Sequence, residues 1–231
     1  MLQTNTVSLE LVNVVRQLMK LESLQDFRLV GGTALAFQLG HRESIDIDLF
    51  SSYHFPSEKI CSELSEKFNL KERVRARGGI IITTRINNIK VDIVDDKKKF
   101  IRPPVVEDGI RMATLEEIAA MKIKTTCDPF SGRKTQKDLA DIATLLDKYS
   151  VKEMVEFLRE KYPTMAPHSE NVIIQLGKDF EVAEKKSEMP KMFNGLTWEK
   201  TKRKIEKGLK YYFDALIKER EEILKQKGRN K

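Results

Sequence analysis

The chain has 231 residues, of which 40% are hydrophobic and 33% charged, with a net charge of +7, and this composition suits a soluble globular protein of one or two domains. No apolar run reaches the roughly eighteen residues that a transmembrane helix needs, and the first eight residues are polar, so we expect neither a signal peptide nor a membrane partner. The two cysteines, Cys61 and Cys127, lack metal-ligand spacing and favour a reducing, cytoplasmic location.

The first predicted element is an amphipathic helix over residues 8–20, and a short strand over residues 27–30 follows it. That strand runs into the glycine pair Gly31-Gly32, after which a short helix is predicted, with Thr33 as its cap. A strand, paired glycines and a helix N-terminus together present backbone N–H groups and a positive helix dipole to an anion. The pattern therefore indicates a phosphate site, although a tight turn would explain the glycines equally well on their own.

The next strand, predicted over residues 44–50, alternates apolar and polar residues. Its two acids, Asp46 and Asp48, share one face with Ser44, and the apolar residues Ile45, Ile47 and Leu49 are expected on the other face. Carboxylates two positions apart in a strand are about 7 Å apart at the backbone, so their side chains can lean toward a common ion. Hard oxygen ligands of this kind suit Mg²⁺, whereas the simpler interpretation is a solvated strand face.

A helix over residues 57–68 and strands over residues 73–77, 80–86 and 89–94 come next. In the last of these strands Asp92 stands alone between apolar neighbours. One such carboxylate is usually exposed or salt-bridged. With two further acids in the same sheet, it predicts a three-carboxylate site for paired Mg²⁺ ions about 3.5–4 Å apart, the arrangement that clamps both oxygens of an in-line displacement.

Turn-forming residues between 103 and 109 mark the end of the predicted β structure. We therefore predict an α+β protein with two domains, residues 1–110 and residues 111–231. The second domain is expected to be helical throughout. Its helices are predicted over residues 114–125, 135–149, 151–161, 169–184 and 198–225.

Three polar residues of the helical half are candidate site residues. Lys122 interrupts an apolar stripe, so it either covers the core edge with its aliphatic stem or binds a triphosphate as a point charge. Asp138 and Asp141 lie three residues apart and share one flank of the next helix. A structural ion pair would also explain them.

The last segment, from Thr197 onward, is basic. It carries twelve Lys or Arg against six Asp or Glu, which is a surplus of six positive charges. A surplus of this size favours a polyanionic partner or, equally, a solvated helix of mixed charge.

Taken together, these residues resemble a known family signature, that of the AbiEii/AbiGii-type nucleotidyltransferase toxins within the polymerase-beta-like superfamily. The main motif reads Gly31-Gly32-Thr33-Ala34-Leu35 and then Gly40-His41-Arg42-x-Ser44-x-Asp46-x-Asp48-Leu49-Phe50. Weaker matches follow in the family's order, at Val91-Asp92, Lys122 and Lys137-Asp138-Leu139-x-Asp141. The resemblance covers residues 27–146.

This resemblance implies a mixed-sheet nucleotidyltransferase domain with flanking helices, followed by a C-terminal helical domain. It implies transfer of a nucleoside monophosphate from an NTP to an acceptor hydroxyl, with one or two Mg²⁺ ions. By the same resemblance Asp46, Asp48 and Asp92 are metal ligands, and Asp92 is also a candidate base. The residues that line the triphosphate would be Gly31, Gly32, Thr33, Arg42 and Ser44.

In the helical half, the resemblance makes Lys122 a triphosphate ligand and Asp138 the acid of the last motif, with Asp141 as the second choice. It also implies a toxin of a bacterial toxin–antitoxin or phage-defence (abortive infection) system, with a cognate antitoxin and tRNA or another RNA as acceptor. Two alternatives stay open. One is a small-molecule, antibiotic-type nucleotidyltransferase, and the other is a non-catalytic nucleotide- or RNA-binding module.

Overall fold

The computed structural model describes residues 1–70, 74, 76–78, 80–127, 134–178 and 180–229. Its helices are α1 Leu9–Leu18, α2 Gly31–Leu39, α3 Ser57–Phe68, α4 Leu115–Cys127, α5 Gln136–Leu145, α6 Val151–Lys161, α7 Ser169–Leu176, α8 Phe180–Lys186 and α9 Trp198–Arg229. Its strands are β1 Arg28–Leu29, β2 Ile47–Ser51, β3 Ala76–Arg77, β4 Ile81–Ile86, β5 Ile89–Asp95, β6 Val105–Glu107 and β7 Ile110–Met112.

The strands of the described residues form one mixed sheet of seven strands, in the order β3-β4-β5-β2-β1-β7-β6. At its centre β2 runs parallel to β5 and antiparallel to β1. These strands are central because their apolar residues, such as Leu49, Val91 and Ile93, are fully buried. The mixed sheet with helices confirms the predicted α+β class.

The chain divides into two compact units. Unit 1 consists of Met1–Met121 and Pro190–Gly195 and contains the whole sheet, and unit 2 consists of Lys122–Met189 and Leu196–Lys231. Unit 2 is helical, and its core includes buried residues of α5, α6 and α9. The boundary predicted at residue 110 between a nucleotidyltransferase domain and a helical domain stays a prediction. Among the described residues, no helix is both long enough and apolar enough to span a membrane.

The strand predicted over residues 44–50 is shorter than expected at its start. β2 begins only at Ile47, and Ile45 is 68% exposed instead of buried. The cause lies at Ser44, whose side chain is buried and whose N–H donates to the Thr6 carbonyl at 2.9 Å. Tertiary contacts therefore turn Ser44 inward and Ile45 outward, against the period-two pattern.

The expected cap of the glycine helix was also wrong. α2 begins at Gly31, no side chain caps it, and Thr33 lies inside the helix. Because the strand leads directly into the helix, the glycines themselves form the first turn. The end was predicted correctly, since Gly40 closes α2 in the left-handed conformation with φ of 65°.

Other boundaries differ as well. The β structure continues beyond residue 103, since β6 and β7 form a hairpin in which Asp108 and Gly109 have φ of 50° and 75°. An Asp-Gly pair with positive φ at both positions is a typical two-residue hairpin turn. The single helix predicted over residues 169–184 is two helices, α7 and α8. Part of the strand predicted over residues 73–77, at Arg73 and Arg75, lies outside the described residues.

Candidate functional site

The glycine turn lies against two side chains of the predicted site. Gly31 has φ of 69°, and a Cβ atom placed on it would lie 2.7 Å from Asp48 Oδ2. A Cβ on Gly32 would approach Arg42 Nη2 even more closely. The backbone at this turn can therefore come this close to the carboxylate and the guanidinium only because both residues lack a side chain.

The same turn is tied to β2 by its backbone. The Val30 N–H donates to the Asp48 carbonyl at 2.9 Å, at the point where the chain enters α2. The first N–H groups of a helix have no partner within the helix, and they form the positive end of its dipole. The N-terminus of α2 therefore lies beside the carboxylate of Asp48.

Two hydroxyl groups hold the segment before β2. Thr33 and Ser44 are both buried, and their side-chain oxygens lie 2.8 Å apart. Thr33 Oγ1 also donates to the Asp46 carbonyl. Since Thr33 cannot donate one proton twice, Ser44 is the donor in the first contact. The contacts fix the backbone of Asp46 relative to α2.

The acids of the two central strands are direct neighbours. In the parallel pairing of β2 with β5, Asp48 is in register with Asp92. Strands in a sheet lie about 4.8 Å apart, and residues in register share a face. The two carboxylates therefore project from adjacent positions of one face, and Asp46 lies one residue before β2.

Asp92 has two partners that the sequence motif does not contain. Its Oδ1 accepts a hydrogen bond of 2.8 Å from Thr83 Oγ1 in the neighbouring β4, and its Oδ2 is paired with Lys90 Nζ. Lys90 and Asp92 are two apart in β5 and so lie on one face. The spacing alone could have identified Lys90, but Thr83 becomes a neighbour only through the pairing of β4 with β5.

The described residues contain no group of three or more His, Cys, Asp or Glu side chains placed to hold a metal ion. The three-carboxylate site therefore remains a prediction, with Asp48 and Asp92 as its adjacent pair. The chemistry of the donors fits Mg²⁺, because the available ligands are carboxylate oxygens and Gly31 leaves room beside one of them.

Arg42 is almost fully buried and is held from two sides. Its Nη1 donates to the Glu43 carbonyl at 2.8 Å, and its backbone forms a β-bridge with Met192. The segment 190–195 belongs to unit 1, and the Phe193 N–H also donates to the His41 carbonyl at 2.8 Å. No local sequence signal predicts this return of the chain.

The predicted residues of unit 2 form a compact ionic cluster. Lys122 Nζ lies 2.7 Å from Asp138 Oδ1 and 2.6 Å from Asp141 Oδ2. Thr135, which caps α5, donates to Asp138 Oδ2 at 2.5 Å. The side chains of Lys122 and Asp138 are 10% and 11% exposed, and that of Asp141 is fully buried.

Two effects compete at Asp138. Burial alone would raise the pKa of its carboxyl group, but the charge of Lys122 and hydrogen bonds from Lys122 and Thr135 outweigh burial. The net effect is a pKa below the ordinary value, so Asp138 is ionised at neutral pH. Lys122 is thus paired with both carboxylates of α5.

Comparison with known proteins places this geometry in a family. The chain is 30% identical to the protein aq_aa25 of Aquifex aeolicus (strain VF5) over 146 residues, which cover 59% of this chain and 66% of that one, just under two thirds of its length. The fold matches JHP933 from Helicobacter pylori with a TM-score of 0.57 at 16% identity, covering 96% of this chain and 99% of that chain. A second H. pylori crystal structure aligns with a TM-score of 0.56 at 18% identity, over 91% and 98% of the two chains.

At these identities the structural matches establish the fold alone. The family model for the nucleotidyl transferase AbiEii toxin of type IV toxin–antitoxin systems matches residues 14–219, which is most of the chain and includes every candidate site residue. The protein therefore belongs to the AbiEii nucleotidyltransferase toxin family.

Proposed function

We propose that this protein transfers a nucleoside monophosphate from an NTP to an acceptor hydroxyl and releases pyrophosphate, using Mg²⁺. The observation that supports this most strongly is the position of the Asp48 carboxylate, which lies against the glycine turn and in register with Asp92. The glycine turn, which would bind phosphate, thus lies beside a pair of acidic side chains that would bind Mg²⁺.

Each candidate site residue of unit 1 has a proposed role in this reaction. Asp46, Asp48 and Asp92 would hold Mg²⁺, which when bound polarises the α-phosphate and lowers the pKa of the attacking hydroxyl. The backbone at Gly31 and Gly32 would bind phosphate oxygens. Thr33, Arg42 and Ser44 would line the triphosphate beside them.

The reaction is a substitution at the α-phosphorus. The acceptor oxygen forms a bond to this phosphorus while the bond to the pyrophosphate oxygen breaks. Asp92 would accept the hydroxyl proton, for which its Oδ2 has to exchange Lys90 for the acceptor. Arg42 would offset the charge that builds up on the phosphate oxygens.

In unit 2, Lys122 is proposed as a triphosphate ligand and Asp138 as the acid that orients it, with Asp141 as the alternative. Their mutual contacts of 2.7 and 2.6 Å support an orienting role, because two fixed carboxylates hold the ammonium group in one place. The same contacts also suit a purely structural cluster, so activity and stability have to be measured together.

The acceptor is proposed to be RNA, with the 3′ end of tRNA as the first candidate. The net charge of +7 favours a polyanionic acceptor over a cationic antibiotic. The family also implies a cognate antitoxin as a protein partner. We further propose that the toxin serves phage defence in the cytoplasm.

The test is a transfer assay with each α-³²P-labelled NTP, Mg²⁺ and one of two acceptors, unfractionated tRNA or an aminoglycoside. Label on tRNA is the expected result, and Asp48→Asn should reduce it to background. The matched control is Asp108→Asn, since Asp108 is an exposed acid in the β6–β7 turn and asparagine also tolerates its φ of 50°.

Each alternative has its own outcome. Label on the aminoglycoside alone would favour the small-molecule transferase. Bound nucleotide without transfer to either acceptor would favour the non-catalytic module. Full activity of Asp48→Asn would contradict the proposed metal site.

A further inference from the structure

A second basic feature of unit 1 lies outside the candidate site. The segment 96–102 follows β5 and reads Asp-Lys-Lys-Lys-Phe-Ile-Arg, and we call it the basic loop. The side chains of Lys97, Lys98 and Lys99 are exposed. Within the part of the chain that the structure describes, Lys97 and Lys98 have no ion-pair partner.

The start of the basic loop is held by a buried acid. Asp95 ends β5, its side chain is fully buried, and its Oδ1 accepts a hydrogen bond of 3.1 Å from the Lys97 N–H. Its Oδ2 lies 3.0 Å from His54 Nδ1. The φ of 53° at Lys97 shows that this contact shapes the backbone.

The end of the basic loop is held as firmly. The Ile101 N–H donates to the buried carboxylate of Glu117 at 2.7 Å, and Arg28 Nη1 donates to the Arg102 carbonyl at 2.6 Å. The guanidinium of Arg28 also lies 3.9 Å from the centre of the Phe100 ring. The lysines are thus presented by an anchored loop, so binding a ligand would lose little conformational entropy.

A pocket of about 440 Å³ opens beside this loop. Basic side chains outnumber acidic ones in its wall, and aromatic rings are present. Its lining includes Arg28, Lys99, Arg111, Asp26, Tyr53 and Phe100. Tyr53 is 68% exposed, which leaves its ring available for stacking.

The other basic segment, α9, differs from the basic loop in how its basic side chains are paired. Four of its lysines and arginines are paired with acids of unit 2, which offsets part of its positive charge. The pairs are Lys202–Glu199 at 2.8 Å, Lys204–Asp147 at 2.5 Å, Lys210–Asp214 at 2.6 Å and Arg220–Glu170 at 3.1 Å. This comparison favours the basic loop over α9 as a polyanion site.

We infer that the basic loop and its pocket bind the acceptor RNA, with the lysines on backbone phosphates and Tyr53 stacked on a base. The inference rests on the proposed function, since it assigns the RNA of that reaction to a surface. Ser52 in the pocket wall comes directly after β2 and four residues after Asp48, so the two are at most about 13 Å apart at 3.3 Å per residue. One RNA chain can span this distance.

The experiment measures binding of fluorescein-labelled unfractionated tRNA to the full chain by anisotropy, without NTP, between 50 and 200 mM salt. The test variant is Lys97→Asn with Lys98→Gln, because asparagine tolerates the left-handed φ. The matched control is Lys20→Gln with Lys67→Gln, which removes the same charge from two exposed lysines of unit 1 that have no ion-pair partner among the described residues. Tyr53→Ala tests the stacking.

The test variant should bind about tenfold or more weakly, and its slope of log affinity against log salt should fall by about 2, one for each lost phosphate contact. Tyr53→Ala should weaken binding with little change in that slope, and the control should bind like the wild type. Unchanged binding by the test variant, or equal losses in test and control, would overturn the inference. The readout is independent of catalysis, so tRNA binding without transfer would contradict the proposed function alone.

Discussion

Replacing Gly31 with alanine should disable the candidate site by moving one carboxylate. The new Cβ would lie 2.7 Å from Asp48 Oδ2, whereas ordinary contacts begin at 3.4 Å, so the oxygen has to move by about 0.7 Å. A displacement near 1 Å of a reacting group can lower a rate about 100-fold. The φ of 69° adds strain of about 1–2 kcal/mol.

Gly109 is the matched control, because it separates strain from the displaced carboxylate. It has φ of 75°, and a Cβ placed on it would meet nothing within 4 Å. Gly109→Ala should therefore lose about the same 1–2 kcal/mol in urea unfolding as the strain at Gly31, but keep its transfer rate. Gly31→Ala should lose ten- to a hundredfold in rate with α-³²P-labelled NTP, measured where both variants are folded. Equal transfer rates for the two variants would show that displacement of the Asp48 carboxylate does not matter for the reaction.

Four further outcomes are expected. Lys122→Met should lower the free energy of unfolding by about 3–5 kcal/mol in urea titrations, because it breaks two buried ion pairs, with Asp138 and Asp141. The pKa of Asp138 in the folded protein is below its unfolded value of about 3.9, so ionised Asp138 stabilises the folded state above about pH 3.9, and this stabilisation is lost as the pH falls through the folded pKa. In Asp138→Asn the free energy of unfolding, measured against pH, should therefore fall less steeply on the acid side. Lys90→Gln should lower the Mg²⁺ concentration for half-maximal transfer, because the ammonium no longer competes for Asp92. Ile45→Ser should change stability by less than about 0.5 kcal/mol in the same titrations, whereas a large loss would mean that this side chain is buried after all.

The central part of the fold was predictable because local patterns and tertiary contacts agree there. β5 begins at Ile89 as expected, and its apolar residues Ile89, Val91 and Ile93 are buried. The α3 helix has the predicted bounds, Ser57–Phe68, since its apolar residues recur on one face. In such segments periodicity alone fixes the element.

Where contacts distant in sequence decide the structure, the sequence was insufficient. Ile45 is exposed because Thr6 and Thr33 hold Ser44 inward, and neither contact is visible in the pattern of residues 44–50. The β6–β7 hairpin is the opposite case. Its Asp108-Gly109 turn was present in the sequence and was interpreted as a boundary instead of a hairpin.

In the candidate site, too, some features follow from local sequence and others from contacts distant in sequence. The sequence placed Asp92 in the same sheet as Asp46 and Asp48, and the strand register brings Asp48 and Asp92 side by side. The partners of Asp92 come from sheet pairing and from a lysine on the same face, so the salt-bridged alternative for this carboxylate also describes the structure. Lys122 likewise makes the ion pairs that a structural role would need.

The proposed metal and triphosphate site is tested most directly by a crystal structure of the protein with Mn²⁺ and a non-hydrolysable NTP analogue, in which anomalous scattering locates the metal. An anomalous peak is expected at the carboxylates of Asp48 and Asp92, with Asp46 nearby and the triphosphate against Gly31-Gly32. Nucleotide bound at the glycine turn with no metal at these acids, or metal and nucleotide bound elsewhere on the protein, would contradict the proposed site.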